Sequence, residues 1–497
     1  MAAVVEPLPS KNWPLLFYVR FVLVLLLWSA TVKLAYAVSC DVFTVRYLPG
    51  FEGPLPFHLE TGYVGVGEKD DLQLFYYFVH SERNPTEDPL VLWLSGGPRC
   101  SSLSGLAYEI GPIYFRAAEG NGNRPTLALN PYSWTKAANI IFLDAPVGTG
   151  FSYSKTGKGL NMSDTKSAGD TYQFLMKWLM DHPEFLSNPL YICGDSYSGI
   201  IIPIIVQEVL NGIAAPASKE HLFNFKGYLI GNPLTDRHLE TNAQVSFAHG
   251  MGLISDELHE SLKRTCKGEY VNVDSTNIEC LKDCGAFSKC ISGVNKEQIL
   301  EPLCYTVTPK QEISTHSRRS LMSIRGFLSS ESLRPTTCRI YNYMLSEYWA
   351  NDDEVRNALK IRKGTVEEWI RCNQYRLPYE SDVKTSIDYH LSINTRGYRS
   401  LIYSGDHDMM VSHVSTEAWI RLINSSIIDD WHPWEGGTQL QSTSLRNVLQ
   451  CFRVLRAATT AVSSGYTVRS LPGVEGPLPF HLGTGYVGVD ERDDKQS

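Results

Sequence analysis

Three short stretches carry residue types that could do acyl chemistry. Gly194-Asp-Ser-Tyr-Ser-Gly199 places Ser196 among small residues, after the apolar run Pro189–Cys193 and before a helical pattern. A tight strand-to-helix turn of this kind lifts a serine hydroxyl above a sheet edge, where it can act as a nucleophile. The segment departs from a strict Gly-x-Ser-x-Gly pattern: Ser198 takes the second glycine position and Gly199 follows. Alone, the six residues also suit an ordinary strand–helix turn. The second stretch is Trp93-Leu-Ser-Gly-Gly-Pro-Arg-Cys-Ser-Ser102, where a Gly-Gly turn follows an apolar run. Such a turn exposes backbone N–H groups, as stabilising an oxyanion requires. The third, Ser404-Gly-Asp-His-Asp408, sets acids at another strand end, downstream of the serine.

These stretches need a frame that brings strand ends together. Apolar runs ending at Gly, Pro or Asp recur at 89–95, 139–143, 189–193, 228–230 and 400–403. Runs apolar on both faces are what a buried parallel sheet demands. Residues 165–181 and 200–212 have the pattern of crossover helices. The expected fold is α/β with functional loops at the carboxyl ends of its strands. In the α/β-hydrolase arrangement the serine precedes the aspartate, which precedes a histidine; Ser196 and Asp406 obey that order. Residues 237–340 break the alternation and are expected to form an inserted, cysteine-bearing cap, dividing the core into 38–236 and 341–440. Within that insertion, the Ser/Arg-rich stretch His316–Arg334 suits an exposed loop, cut or uncut.

The composition narrows the partners. The chain has 497 residues, 43% hydrophobic and 20% charged, and a net charge of −8. That excludes a disordered chain or a fibre, and with no basic stripe nucleic acid is not an expected partner. The main apolar run, Phe21–Trp28, lies between basic Lys11 and Arg20 and the small-residue exit Ala35-Tyr-Ala37. This is the pattern of a cleaved signal over 1–37; the run is too short for a stable membrane anchor. Of eleven cysteines, six lie between Cys266 and Cys338. Their spacing suits secretory disulfides better than zinc. An odd total leaves at least one thiol, and Cys193, inside an apolar run, is expected to be buried and free. Sequons at Asn161 and Asn424 allow glycosylation. No metal or cofactor motif is present, so neither is expected.

An internal repeat is the least expected feature. Thr44–Asp71 and Thr467–Asp494 match at 23 of 28 positions, 423 residues apart. Solenoid repeats recur at 20 to 50 residues, so this resembles the start of a second gene copy, and 441–497 forms an aberrant tail.

Taken together, Trp93–Ser102, Glu109-Ile-Gly-Pro112, Asp144–Ser152, Gly194–Gly199, Gly231-Asn-Pro233 and Ser404–Asp408 resemble plant serine carboxypeptidase-like proteins of the peptidase S10 family. The resemblance spans about 38–440. It implies an α/β-hydrolase fold with Ser196 as nucleophile, Asp406 orienting the base, and Gly97 and Tyr197 N–H groups as the oxyanion hole. It also implies disulfides Cys100–Cys338 and Cys266–Cys280, and a secreted or vacuolar protein. The peptidases carry Asn and Glu where this chain has Ser95 and Asp195, and there the pair holds a terminal carboxylate. The acyltransferase branch resembles this chain more closely, which implies an acyl-glucose donor and an alcohol acceptor; a peptide C-terminus is the alternative substrate. The family's Gly-Gly-Gly-His-type motif is absent. That implies impaired chemistry, a sheet lacking its last strand, and a tail competing with Thr44–Asp71. The remaining histidines, His407, His413, His432 and His481, fit the base position poorly. Arg99 replaces a family glycine beside the oxyanion loop.

Overall fold

The computed structural model describes residues 18, 21–22, 43–116, 124–215, 223–304, 339–424, 426–433, 440–445, 449–455, 466–468 and 482–484. Most of the signal segment, Cys338, the 316–334 stretch and His481 therefore lie outside the described residues.

One large sheet organises the molecule. Its strands are β1 (Thr44–Val45), β2 (Leu59–Val66), β3 (Leu72–Val79), β4 (Leu90–Leu94), β5 (Asn139–Leu143), β6 (Leu190–Asp195), β7 (Phe225–Gly231), β8 (Arg399–Gly405), β9 (Ile427–Pro433), β10 (Leu440–Leu445) and β11 (Leu449–Leu455). Their order across the sheet is β1-β2-β3-β5-β4-β6-β7-β8-β11-β10-β9. From β5 to β11 every neighbouring pair is parallel. The five apolar runs are the central strands. β4 and β5 are buried at every residue, because helices cover one face of the sheet and loops with further helices the other.

Helix α1 (Asp164–Asp181) starts at Ser163, whose Oγ accepts from the Lys166 N–H. It packs with α2 (Ser198–Ala214) over one face, in a core containing Phe174, Trp178, Ile200 and Ile205. The opposite face buries Trp93, Phe142, Trp349 and Trp369. The insertion folds as α3 (Arg237–Gly250), α4 (Asp256–Cys266) and α5 (Ile278–Ile291). These close a separate small core of Val245, Phe247, Leu262, Cys266, Cys280 and Ile291, which reaches Met409. Helix α6 (His413–Leu422) then follows β8.

Two expectations about the C-terminal part are corrected. The sheet does not end at β8: β11 pairs with it in parallel, from Ser400↔Leu449 to Gly405↔Leu455, and covers that edge. The tail does not displace the first repeat copy. β1 and β2 stay paired in the main sheet, Thr44↔Glu60 and Val45↔Leu59. In the second copy, β12 (Tyr466–Val468) pairs with β13 (Leu482–Thr484) as a separate two-stranded sheet, with Thr467↔Gly483 and Val468↔Leu482. Both registers are offset by 423, so the repeated sequence rebuilds its own pairing. The first copy holds its place because β2 is joined by a short turn to β3, with which it pairs along all eight residues.

At this edge a histidine pair sets a pH response. His80, at the end of β3, stacks on His58 with ring centroids 4.0 Å apart. Burial and the His58 neighbour push the His80 imidazole down to about 4. Neutral His80 therefore contributes stability in full above its unfolded value near 6.5, and this is lost as pH falls towards 4. Glu60 holds His182 the other way, raised, at 3.1 Å. His80→Phe should flatten the acid side of the stability curve by up to about 3 kcal/mol. Denaturant midpoints measured from pH 7 to pH 4 check this; parallel losses in both proteins would refute it.

Candidate active site

Ser196 sits where β6 turns into α2, with φ of +54°. Strain of this kind persists only where the surroundings impose it. Here the Ser196 N–H donates to Gly231 C=O at 2.9 Å, and Ser196 C=O accepts from Leu234 N–H at 2.9 Å. A Cβ on Gly194 would lie 2.3 Å from Leu94 O, so that position needs glycine. Position 198 does not: Ser198 Oγ donates to Leu94 C=O at 2.9 Å and fills the space. The residue pressed against the loop after β7 is Gly199, where a Cβ would come within 2.5 Å of Leu234 O. The displaced glycine of the sequence pattern thus has a packing cause.

The Gly-Gly turn lies against this serine. A Cβ on Gly96 would meet Ser196 Cβ at 2.7 Å and Tyr197 N at 2.9 Å. Gly97 follows at φ +122°, exposed. Among the described residues nothing accepts from the N–H of Gly97 or Tyr197. Two free amides next to a half-buried serine are what a developing oxyanion would meet. The turn is braced from below by Asp144, which accepts from Ser101 Oγ at 2.6 Å and Ser102 N–H at 2.9 Å. Tyr197 is braced too, its OH donating to Asp164 Oδ1 at 2.9 Å. Neither Asp144 nor Asp164 had a role in the sequence reading, since each acts only across the fold.

Arg99, which replaces a family glycine, is held away from the turn. Its Nη1 donates to Leu377 C=O at 2.7 Å, and the guanidinium lies over the Tyr379 ring at 5.4 Å. Cys100 is bonded to Cys372, not to Cys338. The reason is that residues 371–373 run antiparallel beside the turn: Ser101 N–H donates to Arg371 C=O, and Asn373 N–H to Arg99 C=O. Cys372 therefore faces Cys100 directly. Cys266–Cys280 is formed as expected, and Cys193 is buried and free.

Asp406 follows β8 and is nearly buried. β6 and β8 are two strand spacings apart, which sets their carboxyl ends, where Ser196 and Asp406 follow, about 10 Å apart. Asn232, at φ +40°, pins the Asp406 loop. Its Oδ1 accepts from Gly405 N–H at 3.1 Å and its Nδ2 donates to Asp408 Oδ2 at 3.0 Å. The Gly-Asn-Pro motif thus positions an acid loop rather than a substrate.

No described residue hydrogen-bonds Ser196 Oγ. His407 Nε2 is 3.8 Å from Asp406 Oδ1. His413 opens α6 with its ring packed edge-on against Phe247 in the cap. His432 lies on β9, three strands beyond β8 and so about 14 Å to its side, on the flank away from Ser196. The segment after β11, Arg456–Gly465, contains no histidine.

Ser95 and Asp195 flank the serine as expected. Asp195 Oδ1 accepts from Gly96 N–H at 3.1 Å, while Ser95 Oγ is buried without a partner. Opposite lies Glu109, which the sequence reading placed in a motif but gave no role. Burial, and then the Asp195 charge, raise Glu109 well above the usual carboxylate range; Arg371 opposes this. Burial pushes Asp195 up to about 6. Asp195 is half-buried and Glu109 keeps contact with solvent. Each acid is thus held towards its neutral form, by burial first and, for Glu109, by the Asp195 charge as well.

Comparison with known proteins agrees with this geometry. A family model described as serine carboxypeptidase matches residues 49–463. Serine carboxypeptidase-like 2 of Arabidopsis thaliana is 52% identical over 391 residues, 78% of this chain and 82% of that one. Serine carboxypeptidase-like 19 of the same plant is 47% identical over 431 residues, 86% of this chain and 91% of that one. The crystal structure of KEX1(delta)p, a prohormone-processing carboxypeptidase from Saccharomyces cerevisiae, shares the fold with a TM-score of 0.62 at 20% identity, covering 84% and 92%. With its α/β-hydrolase sheet and serine elbow, the chain belongs to the serine carboxypeptidase family, peptidase S10.

Proposed function

We propose that the site serves acyl transfer, moving an acyl group from a glucose ester through a Ser196 acyl-enzyme to an alcohol. In this reading Ser196 Oγ attacks the ester carbonyl, and Gly97 and Tyr197 N–H groups stabilise the oxyanion. Glucose leaves, and an acceptor hydroxyl repeats the attack in reverse. Asp406 orients the base. The observation that carries the reading is the state of Ser95 and Asp195. Asp195 spends an oxygen on Gly96 N–H, and Ser95 offers only a short hydroxyl, so the pair reaches less far towards a substrate carboxylate than Glu and Asn would. A peptide C-terminus, the substrate of a carboxypeptidase, would meet a shortened clamp.

The same reading includes an impaired base. No described histidine hydrogen-bonds Ser196 Oγ, and the family's histidine motif is absent from the sequence, so the chain as written is slow. The test is direct. A graft replacing residues from 435 onward with the matching segment of serine carboxypeptidase-like 2 is given a 1-O-acyl-glucose with an alcohol, or a blocked dipeptide. Ester formation supports the reading; release of the C-terminal residue alone sinks it.

Delivery through the secretory pathway fits a disulfide-bonded chain with a 1–37 signal, to the vacuole or outside the cell. No helix among the described residues is long and apolar enough to cross a membrane. Asn161 and Asn424 are both exposed, as glycosylation needs.

The clamp reading makes a prediction that needs no base. Ser95→Asn with Asp195→Glu should strengthen binding of a blocked dipeptide about tenfold at pH 5, roughly one added hydrogen bond to a charged group. The gain should shrink as pH rises and the new Glu ionises against the substrate carboxylate. Calorimetric titration at pH 5 and 7 measures it; unchanged affinity at pH 5 removes the argument.

A further inference from the structure

The cap contains three cysteines where a disulfide needs two. Cys266 ends α4, and Cys280 and Cys284 lie one turn apart on α5. Cys266 and Cys280 are bonded and buried. Cys284 is a half-buried free thiol whose Sγ lies 3.9 Å from Cys266 Sγ and 3.9 Å from Cys280 Sγ. All three sulfurs stand within 4.8 Å of one another.

We propose that Cys284 is an exchange thiol, making the α4–α5 disulfide a site of internal thiol–disulfide isomerisation. The Cys284 thiolate attacks Cys266 Sγ. The Cys266–Cys280 bond breaks as the Cys266–Cys284 bond forms, and the electron pair leaves on Cys280, which takes up the proton Cys284 gave to water. One S–S bond is lost and one gained, so no oxidant or reductant is consumed. Because Cys284 rests beside the bond, equally far from both sulfurs, a rotation about its Cα–Cβ bond must first bring it in line with Cys266. The alternative product, Cys280–Cys284, would bridge successive turns of a single helix and release α4.

The helices need not separate for this. Asp283, next to Cys284 on α5, accepts from Ser261 Oγ at 2.7 Å and Thr265 Oγ1 at 2.9 Å, both on α4. That second staple keeps the pair together while the sulfurs change partners. Burial and the Asp283 charge hold the Cys284 thiol above its usual range, so exchange is slow in acid and grows with pH. The exchange also reaches the site. The core these cysteines help form includes Met409, whose N–H donates to Lys296 C=O, while Ile299 N–H donates to His407 C=O. The cap thus holds the loop that bears Asp406.

The experiment uses the oxidised full chain, held at pH 6, 7 or 8 for up to a day. Thiols are then blocked with N-ethylmaleimide, and the unreduced protein is digested with trypsin. Lys267, Lys282 and Lys289 separate Cys266, Cys280, Cys284 and Cys290 onto different peptides. The expected result is a Cys266–Cys284 linked peptide with maleimide on Cys280, forming about tenfold faster per pH unit as the thiolate fraction rises. It should be lost in Cys284→Ser and in Cys284→Ala. Exposed Cys290 is labelled throughout. A Cys266–Cys280 link that persists alone after a day at pH 8 overturns the proposal. So does Cys280 labelling that survives in both Cys284 variants, or a Cys280–Cys284 product with Cys266 labelled.

Discussion

Ser196→Ala, made in the graft that carries the C-terminal segment of serine carboxypeptidase-like 2, should lower acyl-glucose turnover by a factor of roughly 10⁴ to 10⁶, the scale seen when a serine nucleophile is removed. The loss should fall on kcat, with little change in KM, because the methyl group removes an interaction made in the reaction rather than in binding. The backbone need not change. The elbow is held by Gly231 C=O and Leu234 N–H through main-chain atoms, and alanine meets the same φ penalty that serine already bears. A variant retaining near-normal turnover would show that Ser196 is not the nucleophile. Labelling with a fluorophosphonate, present before and absent after the substitution, is a companion readout.

The second large effect concerns the chain as written. Its turnover should lie roughly 10⁴ to 10⁶ below that of the graft, since losing a triad histidine costs about as much as losing the serine. Serine activation needs a base within hydrogen-bond reach of Oγ, and no described residue is so placed. β11 supplies the strand after which a base could follow, but Arg456–Gly465 offers none. Equal turnover in the two proteins would overturn the argument and point to His481, outside the described residues, or to His407. His481→Ala and His407→Ala in the 497-residue chain would then separate those two.

Much of the frame was legible in the sequence because it is set locally. The runs at 89–95, 139–143, 189–193, 228–230 and 400–403 became β4, β5, β6, β7 and β8, since a strand buried on both faces must be apolar at successive residues. The patterns at 165–181 and 200–212 became α1 and α2. The strand–turn–helix around Ser196 and the Gly-Gly turn were legible for the same reason: their backbone needs are met by residues a few positions away. The repeat pairs in the same register in both copies because that register, too, is written in its own 28 residues.

What the sequence left open joins residues far apart in the chain. Cys372 meets Cys100 across 272 positions because two backbone segments run side by side, and spacing along the chain cannot reveal that. Glu109 comes under the charge of Asp195, and Asn232 meets Gly405 and Asp408, only once separate strand ends share an edge. Gly199 rather than residue 198 had to be glycine because of Leu234, which lies on the loop after another strand. β11 escaped notice because its pattern is irregular and its place comes from the open edge of β8. Local residues fix backbone shape through sterics and hydrogen bonds a turn or a strand in length. Which shapes then touch is decided by packing, the level at which the proposed nucleophile, clamp and acid loop become one site.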